Sequence, residues 1–359
     1  MIVSKVRCLR VFSLAMLGAI GGGCSNETLL DYNLKIKPNL RSVSPPVVLS
    51  WNAHAAPEAN GWRSVTWSPE LGIFVSVAKS GANPIMTSPD GTNWTGRAAP
   101  TGTNGWYSVI WSSELHLFVA VTTDGDHHIM TSHDGITWTA HVAPLGTKGW
   151  WSVTWSPELG IFVAVSDRAP IFVMTSPDGI SWTARAAGGT HWRSIIWSPE
   201  LHLFVSVADA GANQVMTSPD GISWTARMAA EANEWTSVTW APELALFVAV
   251  AKSGTNRVMT SPDGITWTAR TTDASDWYSV IWSPELHLFV SVADAGANQV
   301  MTSSDGIDWE CQTTAEANEW TSVTWAPELA LFVAVATNGT NRVMTGSPYS
   351  SPYHYAALD

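Results

Sequence analysis

Hydrophobic and polar residues alternate in short runs along most of this chain. In the run that opens at Trp62, Ser64 and Thr66 alternate with Val65 and Trp67, so that one face is polar and the other apolar. A period of two is typical of a β-strand with one buried face. Three further runs rich in Val, Ile, Phe and Thr follow before the pattern restarts. We therefore predict four strands in this segment, at about 64–67, 73–78, 85–88 and 93–97.

The whole pattern recurs seven times. Each copy reads approximately W-x-S-V-x-W-S-P-E-L, a second strand, a Gly/Asn loop and then V-M-T-S-P-D-G-x-x-W-T, and successive copies begin 42–44 residues apart. The opening tryptophans are Trp62, Trp106, Trp150, Trp192, Trp235, Trp277 and Trp320. A repeat of this length built from short strands is typical of propeller blades. The sequence predicts an all-β protein, a seven-bladed β-propeller of four-stranded blades.

The ends of the repeat region predict how the ring closes. The segment 47–57 matches the end of a repeat, whereas the last repeat stops at Thr345 and lacks the D-G-x-x-W turn. We expect the N-terminal strand to supply the missing outer strand of the last blade, which removes exposed sheet edges. The propeller is accordingly assigned to residues 47–345.

Both termini lie outside the repeats. Residues 1–23 have a basic start, an apolar run at 11–20 that is too short for a membrane span, and a row of small residues, as in a signal peptide. Cys24 follows directly and resembles a bacterial lipoprotein processing site, so we expect a lipidated Cys24 and a tether at 24–46 that hold the protein in the cell envelope, on the outer-membrane or periplasmic side. Ordinary secretion is the alternative. Residues 346–359 form a C-terminal tail of unassigned role.

Composition and charge narrow the partners. Tryptophan is very abundant, at 22 residues, while charged residues make up only 13% of the chain. The net charge of −12 would become −15 once the basic residues of the signal peptide are removed. An acidic surface argues against nucleic acid and against an anionic membrane as partner, except through a lipid anchor. We expect a monomer that binds a protein or a glycan, with no cofactor.

The repeated turn S-P-D-G-x-x-W-T resembles the Asp-box (BNR) repeat of sialidase-like propellers, although one residue is missing between Asp and Gly. Six copies contain the turn aspartates Asp90, Asp134, Asp178, Asp220, Asp263 and Asp305. The resemblance spans residues 47–345 and implies a propeller; exported seven-bladed members of this superfamily include photosystem assembly factors and bacterial lipoproteins. Because an aspartate recurs in nearly every blade, we expect these carboxylates to accept hydrogen bonds from turn N–H groups rather than to form a catalytic pair.

Other repeated polar residues are also interpreted as structural. A glutamate follows Pro or Ser in every blade, beginning with Glu70, and we expect it to pair locally. His116, His202 and His287 follow the P-E-L or S-E-L turn in alternate blades, which keeps them apart around a ring. The loop 124–128 is the one segment dense in metal-ligand types, but adjacent residues rarely close a metal site alone. We predict no metal site.

One position differs between the copies of the repeat, although its neighbours are nearly the same in all of them. Directly after each opening tryptophan stand Arg63, Tyr107, Trp151, Arg193, Thr236, Tyr278 and Thr321. This position should open the innermost strand, near the mouth of the ring on the face that carries the loops. Arg63, Tyr107, Trp151, Arg193 and Tyr278 are our candidate ligand-binding residues, because aromatic rings and guanidinium groups hold sugars or anions by stacking and forked hydrogen bonds. The alternative is sequence drift at a half-exposed site.

The sequence therefore predicts a binding or scaffolding module, without catalytic residues or catalytic activity. A carbohydrate-binding propeller that uses the Arg/aromatic mouth is the alternative. A sialidase-type glycoside hydrolase is the third hypothesis, using Arg63, Arg193, Tyr107 and Tyr278, but no third arginine occupies the equivalent position that the arginine triad of a sialidase would need.

Overall fold

The computed structural model describes residues 47–100, 103–125, 128–144, 149–168, 171–189 and 191–349. They form seven antiparallel four-stranded sheets, and this confirms the predicted all-β, seven-bladed propeller. The predicted signal peptide, the tether with Cys24 and the tail from residue 350 onward lie outside the described residues.

The strands are numbered β1 to β28 along the chain, and within each blade they follow one another from the axis outward. Blades 1 to 3 contain β2 (Trp62–Ser68), β3 (Ile73–Ala78), β4 (Ile85–Ser88) and β5 (Thr95–Arg97); β6 (Thr103–Ser112), β7 (Leu117–Gly125), β8 (Ile129–Ser132) and β9 (Thr139–His141); and β10 (Trp150–Ser156), β11 (Ile161–Ser166), β12 (Val173–Ser176) and β13 (Thr183–Arg185).

The other four blades repeat this plan. Blades 4 to 6 contain β14 (Trp192–Ser198), β15 (Leu203–Ala208), β16 (Val215–Ser218) and β17 (Thr225–Arg227); β18 (Trp235–Ala241), β19 (Leu246–Ala251), β20 (Val258–Ser261) and β21 (Thr268–Arg270); and β22 (Asp276–Ser283), β23 (Leu288–Ala295), β24 (Val300–Ser303) and β25 (Glu310–Gln312). Blade 7 combines β26 (Trp320–Ala326), β27 (Leu331–Ala336) and β28 (Val343–Pro348) with β1 (Leu49–His54). Short 3-10 turns cover Pro242–Leu244 and Pro327–Leu329.

The first and last strands of the propeller close the ring as predicted. Strand β1 pairs antiparallel with β28, and Trp51 lies opposite Gly346. A Cβ atom on Gly346 would lie 2.7 Å from the Trp51 ring, so the close approach of that ring requires glycine. Strand β28 ends at Pro348, three residues beyond the predicted end of the propeller, because its pairing with β1 continues to Leu49.

Apolar side chains fill the space between neighbouring blades. The seven opening tryptophans are all fully buried, and Trp62 packs with Val333 and Val335 of the blade before it. Burial of one indole removes about 150–250 Å² from water. At about 25 cal/mol per Å² this contributes at most about 4–6 kcal/mol per tryptophan. Each opening tryptophan is therefore a large apolar contribution to the interface between two blades.

A second tryptophan in each innermost strand makes a polar contact to the preceding blade. Its indole N–H donates to the glutamate of that blade's first turn, at 2.6–2.8 Å. The pairs are Trp67–Glu328, Trp111–Glu70, Trp155–Glu114, Trp197–Glu158, Trp240–Glu200, Trp282–Glu243 and Trp325–Glu285. The repeated glutamates thus link neighbouring blades and do not pair only locally.

Serine hydroxyl groups make a further ring of contacts close to the axis. Ser64 accepts the backbone N–H of Val109 in the next blade at 3.1 Å, and the equivalent serine of every blade does the same. These serines are Ser64, Ser108, Ser152, Ser194, Ser237, Ser279 and Ser322. Each innermost strand is therefore hydrogen-bonded to both of its neighbours in the ring.

The Asp-box-like turns are stabilised by their own side chains. In blade 1, Asp90 Oδ1 accepts the N–H groups of Thr92 and Asn93, and Ser88 donates its hydroxyl to the same oxygen. Asn93 is thereby held in the turn, and β5 begins two residues later than predicted. Gly91 has a φ of +72°, which glycine adopts without steric cost, and a Cβ atom there would lie only 2.9 Å from Val333. Both the backbone conformation and the close packing therefore require glycine at this position.

No helix in the described part of the chain is long and apolar enough to cross a membrane.

Candidate functional site

The central axis of the ring opens into a cavity of about 650 Å³ on the face that carries the inter-blade links, and we call this cavity the mouth. It is built from four positions that recur in each blade. These positions are the link residue before the opening tryptophan, the residue after that tryptophan, the ring serine next to it, and the residue that follows the second strand. Because equivalent positions of a propeller surround one axis, residues far apart in sequence meet here.

The structure brings all the candidate binding residues together. The non-repeating position after the opening tryptophan lines the mouth in every blade: Arg63, Tyr107, Trp151, Arg193, Thr236, Tyr278 and Thr321. All are half-buried except Thr321, which is buried. Their common location follows from the innermost strands, which begin at this end of the axis.

Four of these side chains form a continuous row along blades 1 to 4. The Arg63 guanidinium lies 5.2 Å from the centre of the Tyr107 ring. Tyr107 meets Trp151 edge-on, with ring centres 4.3 Å apart. The Arg193 guanidinium then lies 3.7 Å from the Trp151 ring centre. Cation–π and edge-to-face contacts of this kind are favourable, so the row is fixed before any ligand arrives.

The row also changes what the mouth can offer to a ligand. Arg193 covers the Trp151 ring, and Arg63 and Lys79 both lie within 6 Å of the Tyr107 ring centre. Stacking of a sugar on these two rings, which the sequence analysis expected, therefore competes with cations of the protein itself. Polar edges and charges remain the accessible features of this wall.

Arg193 is held by carboxylates and is not a free anion receptor. Its Nε donates to Asp209 at 2.5 Å and its Nη1 to Asp167 at 3.3 Å. Both acids follow the second strand of their blades, in blades 4 and 3. The two threonines at the equivalent position use their hydroxyl groups in hydrogen bonds to the backbone. Thr236 donates to the carbonyl of Trp277, and Thr321 donates to that of Trp62.

Arg63 is in a different situation. Its Nη1 donates to the Tyr278 hydroxyl at 3.1 Å, and its buried Nε has no hydrogen-bond partner among the described residues. Burial raises the pKa of Tyr278, an effect that Arg63 partly opposes, so the phenol is neutral at physiological pH. The contact joins blades 1 and 6 across the mouth, and no carboxylate in the described part of the chain forms an ion pair with the guanidinium of Arg63.

Charged residues that the sequence analysis did not select also line the mouth. They are Lys79, Asp209 and Lys252 directly after the second strands, Asp294 at the end of the second strand β23, and Glu234 and Glu319 in the links. Lys252 and Asp294 form an ion pair at 2.6 Å. Burial raises the pKa of Asp294 although Lys252 opposes this shift. Variation between blades, the signal that selected Arg63, could also have found these residues. The link residue before the opening tryptophan and the position after the second strand both vary strongly between blades.

The turn aspartates lie at the opposite end of the strands. Each accepts backbone N–H groups of its own turn at 2.7–3.0 Å. Desolvation alone would raise the pKa of these carboxylates, but the N–H donors outweigh it and hold the pKa of all six below its usual range. These six residues are Asp90, Asp134, Asp178, Asp220, Asp263 and Asp305.

The histidines considered as metal ligands lie on that same face, apart from one another. His116, His202 and His287 each adopt a φ of +47°, where blades 1 and 3 have Gly72 and Gly160. Among the described residues no group of three potential ligands could hold a metal ion. Residues 126 and 127 of the loop at 124–128 lie outside the described part.

The mouth does not assemble the arginine cluster of a sialidase in the part of the chain that the structure describes. Among the residues that the structure describes, Arg63 and Arg193 are the only arginines that line it, and two carboxylates already hold Arg193. Tyr278 bonds to Arg63 instead of to an activating glutamate. The geometry therefore gives the sialidase hypothesis no support.

Comparisons with known proteins show the fold. The sequence matches no protein-family model and no curated protein. A streptogramin B lyase superposes with a TM-score of 0.72 at 12% identity, over 84% of this chain and 98% of the lyase. Virginiamycin B lyase from Staphylococcus aureus gives 0.70 at 11%, over 85% and 100%. YCF48 bound to a D1 peptide gives 0.63 at 12%, over 86% and 100%.

These neighbours correct one prediction. From the sequence we expected no catalytic activity, partly because the strongest signals in it were structural. Two of the structural neighbours are lyases, so enzymes are found among proteins of this fold. The expectation that such a propeller lacks catalytic activity was therefore wrong. At this level of identity the likeness shows the fold and carries no residue roles.

Proposed function

We propose that this chain is an exported β-propeller that binds a protein or glycan partner in its central mouth. The signal-like segment 1–23 and Cys24 support export and a lipid anchor in the cell envelope. The observation that carries the binding role is the convergence of the one non-repeating strand position into the mouth. The tryptophan before this position and the serine after it are the same in every blade, so the variation is confined to the side chain that lines the mouth.

The size of the mouth suits a segment or a small molecule. Ligand pockets commonly measure about 300–1,000 Å³, and the mouth of about 650 Å³ lies within that range. Its wall mixes fixed aromatic rings with charges, as specific polar sites do. One neighbour of the same fold, YCF48, has been solved with a peptide bound, which supports a polypeptide partner as the first candidate.

A glycan is the second candidate, and buried polar atoms favour it. Trp151 Nε1 and Asp294 Oδ1 are buried and lack hydrogen-bond partners among the described residues. One is a donor and the other an acceptor. A hydroxyl group can satisfy either, because it both donates and accepts.

Binding at the mouth is tested by screening the mature chain on peptide and glycan arrays. The parent protein is compared with Tyr278→Phe, with Arg63→Gln and with the matched control Arg227→Gln, whose guanidinium lies on an outer strand beside Thr217. Loss of a ligand in both mouth variants but not in the control is the expected result. Ligands that bind all four proteins equally, or no ligand at all, would refute the proposal.

The anchor is tested separately. Cys24→Ser should move the protein from the membrane fraction to the soluble fraction of a bacterial host and abolish labelling by a palmitate analogue. An unchanged membrane fraction would refute lipidation without affecting the proposed role of the mouth.

A further inference from the structure

Four charged groups that line the mouth have no ion-pair partner among the described residues. Arg63 and Lys79 belong to blade 1, whereas Glu234 and Glu319 belong to blades 5 and 7. The remaining lining charges form ion pairs within the wall, Arg193 with Asp209 and Lys252 with Asp294. The mouth therefore presents two cations without a counterion in blade 1 and two carboxylates without a counterion in blades 5 and 7, which lie on either side of blade 6; within the described part of the chain, the Glu319 carboxylate accepts hydrogen bonds from Thr337 and Asn338 only.

The rim differs between the same blades. The link residue before the opening tryptophan is glycine in blades 1 to 3, at Gly61, Gly105 and Gly149. In blades 4 to 7 the same position is His191, Glu234, Asp276 and Glu319. The residue before the opening tryptophan thus adds no side chain to the rim in blades 1 to 3, while a carboxylate occupies this position in blades 5 to 7.

The part of the mouth around Arg63 and Lys79 is already shaped to receive an anion. The Tyr278 hydroxyl holds Nη1 of Arg63, and the Tyr107 ring faces both Arg63 and Lys79. The Nε of Arg63 is buried and has no hydrogen-bond partner among the described residues, and a carboxylate is the acceptor that matches a guanidinium group best. Side chains that are fixed in advance lose little conformational entropy on binding.

We infer that the mouth binds a small zwitterion, a free amino acid or a short peptide with unblocked ends, whose carboxylate lies at Arg63 and Lys79 and whose ammonium group lies at Glu234 and Glu319. This inference rests on the proposed binding role and names the ligand class. A ligand that carries both charges supplies a counterion to both pairs of groups, whereas a neutral sugar supplies a counterion to none of them. A polyanion would be repelled by the acidic surface of the chain, which has a net charge of −12.

The test uses matched ligands that differ only in the charge of their ends. Calorimetric titrations of the mature chain compare L-alanine, dialanine and trialanine, and then trialanine that is N-acetylated, C-amidated or blocked at both ends. We expect the free form of one of these lengths to bind, and each blocking group to weaken binding about tenfold or more. Failure of all three free forms to bind at millimolar concentration would overturn the inference.

Charge variants then locate each end of the ligand. In Lys79→Gln, amidation of the peptide should matter much less while acetylation still weakens binding; in Glu234→Gln the pattern should reverse. Arg227→Gln serves as the control and should behave as the parent protein. Equal binding of blocked and free peptides, or no effect of either mouth variant, would overturn the inference.

Failure of this inference and of the proposed function give different results. If the array screen finds a neutral glycan whose binding depends on Arg63 and Tyr278, while zwitterions do not bind, the mouth is a binding site for another class of ligand. If no ligand depends on those two residues, the binding role itself is refuted.

Discussion

The indole N–H of Trp240 donates a 2.6 Å hydrogen bond to Oε2 of Glu200 in the preceding blade. The same pair recurs at all seven blade junctions, where an exposed turn residue of one blade accepts from a side chain of the next. A glutamate in a surface turn would ordinarily contribute little to stability. Here it satisfies a buried donor, and its effect can be measured.

We predict that Glu200→Ala lowers the free energy of unfolding by about 1–2 kcal/mol, because the indole N–H of the buried Trp240 loses its acceptor. Glu200→Gln keeps an acceptor oxygen and should cost less. Urea denaturation monitored by circular dichroism measures both variants. The exposed Glu310→Ala on the outer strand β25 is the control, and an equal effect at both positions would contradict the prediction.

The closure of the ring predicts a strong coupling between two residues. Gly346→Ala should destabilise the protein because its methyl group clashes with the Trp51 ring, and Trp51→Ala should cost about 3 kcal/mol or more through lost packing. The double variant should be more stable than the sum of the two single effects implies. Thermal denaturation of the four proteins gives the coupling energy, and strictly additive losses would show that the two residues do not meet.

A left-handed backbone position predicts a stabilising change. Ala245 has a φ of +47°, at a position where blades 1 and 3 have glycine. Ala245→Gly should raise stability by about 0.5–1 kcal/mol, because glycine adopts this conformation without steric cost. Gly160→Ala at the equivalent position should lower stability by a similar amount. Chemical denaturation of both variants provides the measurement, and a loss in Ala245→Gly would contradict the argument.

The turn aspartates predict how stability depends on pH. The pKa of each is lower in the folded protein than the usual value of 3.8, since turn N–H groups favour the charged form. This stabilisation is complete above that value and is lost as the pH falls through the lower folded pKa. We expect stability to fall steeply below about pH 4, and Asp178→Asn to reduce the slope. Urea titrations at several pH values test this, and identical slopes would refute the assignment.

The sequence predicted the fold well because the fold depends on local chemistry. The Ser-Pro and Asp-Gly turns specify where strands reverse, and alternation places the tryptophans between blades. The closure was predictable because 47–57 matches the end of a repeat, and the last copy stops before that part. The convergence of Arg63, Trp151 and Tyr278 followed from ring symmetry once seven equivalent strands were recognised.

The contacts between side chains within the mouth could not be predicted from the sequence. Arg193 meets Asp167 and Asp209, which follow second strands in two different blades, and only the twist and spacing of the blades bring them within 3.3 Å. The same holds for Arg63 and Tyr278, which meet across the mouth. Residue identities show which chemistry is present, but pairing depends on side-chain directions that no repeat pattern encodes.

The contacts of the ring serines bear on how the number of repeats in such a protein can change. Each serine reaches only the adjoining strand, and every junction uses the same atoms, including the junction between the last blade and the first. A gene that gains or loses one complete copy would therefore present every junction with its usual contacts. The number of blades that closes the ring must then depend on the angle between neighbouring blades. It does not depend on the hydrogen bonds that join one blade to the next.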